Sequence, residues 1–233
     1  MLDTAFEALK KFDWGSDLGA LAPIEDAITA AHGKPETGKE IETRLIAAMK
    51  GELSRDAREY VCRKLANVGS AACVPGLAAF LVDKESSHMS RFALEQIPAP
   101  EAAQALREAM PKASGLVKVG IISSLGAKRD AAAVAPLGEL LKDGDAAIAR
   151  AAALALGAIG NVESAAVLQR TLPAGDGPSA IIDALLSCAE ALLSSNKLAD
   201  ATAIYKTFAQ DHQPRLVRLA ANRGLLACAS KQA

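Results

Sequence analysis

Aromatic side chains are scarce: five Phe, two Tyr and one Trp make up 3% of the 233 residues. A core filled with large rings is excluded, and so are the rows of stacking platforms that hold single-stranded nucleic acid. Neither sign of charge dominates, with 26 Lys and Arg against 27 Asp and Glu. No global field therefore steers the chain toward nucleic acid or an anionic membrane. The longest uncharged apolar stretches, such as Ala151 to Gly160, fall short of the ~20 residues of a spanning helix, so no membrane span is expected. The opening Met1-Leu2-Asp3-Thr4 has neither the basic nor the apolar region of a secretory signal. A cytoplasmic location is the expectation on that ground, a periplasmic or secreted one if a leader has been trimmed.

Motifs for metal or nucleophile chemistry are also missing. Cys62, Cys73, Cys188 and Cys228 lack the paired spacing of a zinc site or a disulfide framework and read as buried small hydrophobes. His32, His88 and His212 fall in or beside turns, none at the i, i+4 spacing of a helical metal site, so neither a metal nor another cofactor is expected. The string Gly33-Lys34-Pro35-Glu36-Thr37-Gly38-Lys39-Glu40 matches part of a phosphate-binding loop. It follows a helix-like run through Ile28 and Ala31 rather than a strand, and Glu40 stands where Ser or Thr would hold magnesium. A capping box, with Thr37 and Glu40 satisfying each other's amides, is the expected use of these residues.

What is abundant is small and aliphatic. Hydrophobic residues make up 51% of the chain, much of this alanine, which suits helices packed at close range. Helical periodicity runs almost throughout, and no short β-branched alternation marks a strand. Turns are expected at Trp14-Gly15-Ser16, His32 to Pro35, Gly69-Ser70, Pro98-Ala99-Pro100, Asp143-Gly144-Asp145, Gly160-Asn161 and Gly175 to Pro178. Helices of about 11 to 18 residues should lie between them. Leu65, Ile97, Leu125 and Leu156 occupy equivalent places at intervals of 28 to 32 residues. A helix pair of that length cannot bury its apolar stripe alone, so successive pairs must complete one another's core.

The residues that carry this repeat resemble a known family. Arg150 to Gly160, preceded by Val134 to Asp143, resembles a HEAT repeat of the bilin-lyase-like kind; Val217 to Leu226 is similar to another second helix, and Ser54 to Gly69 to a degenerate copy. The resemblance spans residues 36–230. It implies an all-α fold: an α-solenoid, a right-handed superhelix of about six stacked antiparallel helix pairs with an N-terminal capping helix. The whole of 1–233 is expected to be one repeat domain, with capping helices over 1–34, repeats over 35–195 and a C-terminal helix pair over 196–233. Leu2, Phe6 and Leu9 supply the apolar face of the cap, and Ala201, Ile204, Tyr205 and Phe208 give the last pair a more aromatic face. Asn196 to Ala229 further resembles terminal helix pairs of large bacterial multidomain proteins, which implies a scaffold segment of a larger protein or a stand-alone relative.

Basic residues recur along the second helices: Arg55, Arg58 and Arg63, then Arg91, Lys118, Arg150, and Arg215, Arg218 and Arg223. In a HEAT-like stack these helices line the concave face, so residues recurring once per repeat would align into a stripe. The competing use is structural, Arg150 tying to Asp143 or Asp145 and Arg218 to a comparable inter-helix carboxylate. The expected function is a non-enzymatic scaffold that presents Arg55, Arg58, Arg91, Lys118, Arg150, Asp183, Arg218 and Asn222 to a protein partner. A bilin-lyase-like enzyme, or a nucleic-acid-binding DNA glycosylase of HEAT-like type, is the alternative that the resemblance leaves open. Trp14, Tyr60 and Tyr205 offer too few stacking platforms to favour nucleic acid.

Overall fold

The computed structural model describes residues 1–172 and 179–232; the turn expected over Gly175 to Pro178 lies outside them. Among the described residues the regular structure is helical throughout, and no helix is long and apolar enough to cross a membrane. The chain divides into two compact units, Met1–Ser124 and Leu125–Ala233.

The first unit contains α1 (Leu2–Lys10), α2 (Ala22–Ala30), α3 (Pro35–Met49), α4 (Arg55–Val68), α5 (Val74–Ala78), α6 (Ser87–Gln96), α7 (Pro100–Ala109) and most of α8 (Gly115–Ala127). In pairs, α1 packs on α2, α3 on α4 and α5 on α6, and α4 also packs on α6 while α5 packs on α7. The second unit holds α9 (Val134–Leu140), α10 (Ala146–Ile159), α11 (Val162–Thr171), α12 (Ser179–Ser194), α13 (Leu198–Phe208) and α14 (Arg215–Gln232). Here α9 packs on α11, α10 on α12, and α12 on α14. First helix on first and second on second is the α-solenoid stacking that the repeat spacing predicts.

Local chemistry sets the boundaries. Ser54 accepts from the Ala57 amide at the start of α4, and Asp145 from the Ala147 amide at the start of α10. Gly160 ends α10 in the left-handed region, and Asn161 then caps α11 through the Ser164 amide. The capping box expected at Thr37 and Glu40 is not formed. Pro35 opens α3 instead, because its fixed φ and missing amide suit the first helical turn, so Thr37 already lies inside the helix. Helix length also departs from expectation: α5 has 5 residues and α9 has 7. Each is entered through a 3-10 turn, at Ala71–Cys73 and Ala131–Ala133.

The recurring Leu-Gly endings have a packing cause. Leu65, Leu125 and Leu156 are fully buried and Ile97 is 1% exposed, as equivalent core positions require. The following glycines let second helices touch backbone to backbone. A Cβ on Gly126 would stand 2.8 Å from the Ala155 Cα, and one on Gly157 would stand 2.9 Å from the Ala184 Cα. The other expected core residues are in place: Phe6 and Leu9 on α1, and Ala201, Ile204, Tyr205 and Phe208 on α13, are buried.

Candidate functional site

In the first unit the N-terminal halves of α4 and α6 bring basic and apolar side chains into one groove. It encloses about 550 Å³ and is lined by Arg55, Arg58, Glu59, Arg63, Glu85, Ser86, His88, Met89 and Phe92. The start of α6 is fixed by Asp83, whose Oδ1 accepts from the Ser86 amide at 2.7 Å and the Glu85 amide at 3.2 Å. Those amide bonds hold the Asp83 carboxyl below its ordinary range.

The basic residues of the groove are not equivalent. Arg55 is exposed. Arg58 is half-buried: it donates to Ser86 Oγ at 2.9 Å, and its guanidinium lies 4.5 Å from the Phe80 ring centroid. Arg63 is ion-paired with Glu59 one turn earlier on α4. Phe92 keeps 40% of its surface in solvent, which adds an apolar contact to the charged rim. No pattern in the sequence marks Met89 and Phe92, whose placement follows from how α6 packs.

Arg91, expected beside Arg58, points elsewhere. Its Nε donates to Ser87 Oγ at 3.4 Å and its NH1 to Ser124 Oγ at 3.3 Å, while Ser124 Oγ is also 2.5 Å from Glu95 Oε1. The guanidinium lies over Gly120, where a Cβ would meet it at 2.4 Å. Burial lowers the Arg91 pKa, and nearby Glu95 partly offsets that. Arg91 thus ties α6 to α8. Lys118 is half-buried on α8.

The remaining four expected residues belong to the second unit. Arg150 is exposed on α10, Asp183 on α12 and Asn222 on α14. The tie of Arg150 to Asp145 is not made; Asp145 Oδ1 instead accepts from the Ala147 amide and caps α10. Arg218 does reach a carboxylate in the turn before its helix: its NH1 is 3.0 Å from Asp211 Oδ1 and 3.2 Å from the Asp211 carbonyl oxygen.

All four cysteines are buried and unbridged. Burial pushes the Cys62 thiol up to about 11 and the Cys73 and Cys188 thiols up to about 12. Nearby Glu42 adds to the shift at Cys73. Thiols held protonated in this way are poor nucleophiles at neutral pH. Among the described residues no group of three or more His, Cys, Asp or Glu is placed to hold a metal ion.

Stacked helix pairs with an open groove on their second helices define a repeat scaffold. Residues 103–189 match the family model for HEAT repeats. The match is to HEAT repeats in general and does not single out the bilin-lyase-like kind. Among solved structures, the chain is similar to an archaeal HEAT-like repeats protein from Thermococcus onnurineus NA1, at 13% identity and a TM-score of 0.55, covering 100% of this chain and 98% of that one. At that identity the likeness shows the fold alone, which is HEAT-like. Human deoxyhypusine hydroxylase in complex with glycerol also matches, at 16% identity over 98% of this chain and 96% of that one; its TM-score of 0.38 is too low to carry an argument. No curated protein matches the sequence.

Proposed function

We propose that this HEAT-like scaffold is non-enzymatic and binds a protein partner through the face carried by its second helices. The observation that supports this reading is the α4/α6 groove, where Arg55, Arg58 and Arg63 stand beside the open apolar surface of Met89 and Phe92. Basic side chains around an apolar contact suit a partner segment carrying Asp or Glu next to a bulky apolar residue. Arg55, Arg150, Asp183 and Asn222 are exposed and would make the outer contacts. Arg58, Arg91, Lys118 and Arg218 would contribute from half-buried positions, Arg58, Arg91 and Arg218 while also tying the fold together. In this reading 1–233 works as one repeat domain, with 1–34 as its cap, 35–195 as its repeats and 196–233 as its closing pair.

The test is selection of peptides from a random library by the immobilised full chain. The wild type should enrich sequences that combine acidic and apolar residues. Arg55→Glu with Arg63→Glu should reduce their affinity at least tenfold while the far-ultraviolet helical spectrum is unchanged. No enrichment by the wild type, or the same affinity after charge reversal, would remove the proposal.

A further inference from the structure

On the other side of α4 lies a second pocket with the opposite charge. Its walls are Phe12, Trp14 and Tyr60, with Asp13, Asp56 and Glu59 among the polar groups, and it encloses about 330 Å³. That is near the lower limit for ligand sites, which suits one long side chain better than a whole cofactor. The turn that carries Trp14 is pinned to α4. Ser54 Oγ donates to the Phe12 carbonyl at 2.6 Å, Asp13 Oδ1 accepts from the Trp14 amide at 2.9 Å, and the Phe12 and Tyr60 rings lie 6.2 Å apart. Trp14, the one tryptophan of the chain, is nevertheless 92% exposed, with Leu18 beside it at 64%. A large amphipathic ring held in solvent by an ordered turn is the kind of residue that anchors interfaces.

Charge narrows the choice of ligand. Three carboxylates, Asp13, Asp56 and Glu59, face one guanidinium, Arg63, and that cation is already paired with Glu59. Asp56 is half-buried and has no ion pair among the described residues. A further cation, Lys64, lies 4.9 Å from the Tyr60 ring centroid and is ion-paired with Glu25. Aromatic faces together with uncompensated carboxylates attract an organic cation through the ring quadrupole and through direct Coulomb attraction.

We infer that the Phe12, Trp14 and Tyr60 pocket receives a Lys or Arg side chain from a partner polypeptide. Glu59 and Arg63 line both this pocket and the basic groove, so the two adjoin across α4. A segment crossing the helix would set its cation under Trp14 and its carboxylates toward Arg55 and Arg58. The charges then fix the direction in which the segment lies.

The single indole is its own reporter. The full chain is titrated with acetyl-Gly-Gly-Lys-Gly-Gly-amide while Trp14 emission is followed, in parallel with the same peptide carrying Nε-acetyllysine and with tetramethylammonium chloride. The lysine peptide should give a saturable change, weakened by salt, and acetylation should weaken binding about tenfold or more. Asp56→Asn, and separately Glu59→Gln, should each cost several-fold in affinity with helical content retained. Three results would overturn the assignment: no saturable response up to about 10 mM, equal response to the acetylated peptide, or equal affinity in both variants. Tetramethylammonium binding as tightly as the peptide would overturn its assignment to a polypeptide. A failure in any of these titrations leaves the test of Arg55 and Arg63 unaffected.

Discussion

Gly157 lies against Ala184 so closely that a Cβ at position 157 would stand 2.9 Å from the Ala184 Cα and 3.1 Å from its carbonyl oxygen. Backbone atoms of a packed helix cannot swing aside as the end of a long side chain can, so any added atom must push α10 from α12. Gly157→Ala should therefore lose about 1–3 kcal/mol of stability to overpacking, despite the better helix propensity of alanine. Gly38, inside α3 with no heavy atom within 4 Å of its would-be Cβ, should respond in the opposite sense. Gly38→Ala should gain up to ~1 kcal/mol. Urea unfolding followed by circular dichroism checks both signs.

Arginines that look alike in the sequence should separate by stability. Arg91→Ala removes the contacts to Ser87 and Ser124 and uncovers Gly120, so a loss of about 1–3 kcal/mol is expected. Arg55→Ala, on an exposed side chain, should stay within about 0.5 kcal/mol of the wild type. Equal melting temperatures for the two variants would contradict the roles assigned here.

Stability should decline in alkali. The folded state raises the thiol pKa values of Cys62, Cys73 and Cys188 to about 11, 12 and 12, from an ordinary thiol value of 9.0. Above pH 9 the unfolded chain releases protons that the folded chain retains. The thiol contribution is thus complete below about pH 9 and lost as pH climbs through 11 to 12. Each thiol should cost on the order of 1 kcal/mol per pH unit in that window. Denaturation midpoints at pH 8, 9, 10 and 11 should fall with increasing slope, and less so in Cys73→Ala and Cys188→Ala.

The same burial should block modification. With the native protein at pH 8, a thiol reagent such as 5,5′-dithiobis(2-nitrobenzoate) should titrate essentially none of the four cysteines. Denaturant should then expose all four. Rapid reaction of one cysteine in the native state would show that its helix opens locally.

The repeat itself was legible because it is written in period and punctuation. Leu125-Gly126 and Leu156-Gly157 mark both the core position and the close approach that follows it, and Gly160-Asn161 spells out a helix stop and a helix start. The functional surface was less legible. Arg55, Arg58 and Arg91 share a residue class and a helical face by count, yet only the first two reach one groove, because Arg91 is drawn onto Gly120 by a serine on the next second helix. Trp14 could be placed in a turn by its neighbours Gly15 and Ser16. Its meeting with Tyr60 depends on the Ser54 hydroxyl reaching the Phe12 carbonyl, 42 residues away in sequence, which no local pattern encodes. Thr37 and Glu40 had the correct spacing for a capping box, but Pro35 pre-empted it by starting the helix two residues sooner.

The exposure of Trp14 also governs what light emitted by this protein can report. An indole that is 92% in solvent before melting gains little further contact with water afterwards, so its emission should pass through the collapse of the helices almost unchanged. The two phenols behave differently: Tyr60 is 8% exposed in one unit and Tyr205 is 2% exposed in the other. Each half of the chain thus holds one concealed chromophore that marks its own unravelling, while the tryptophan registers only what settles on the surface.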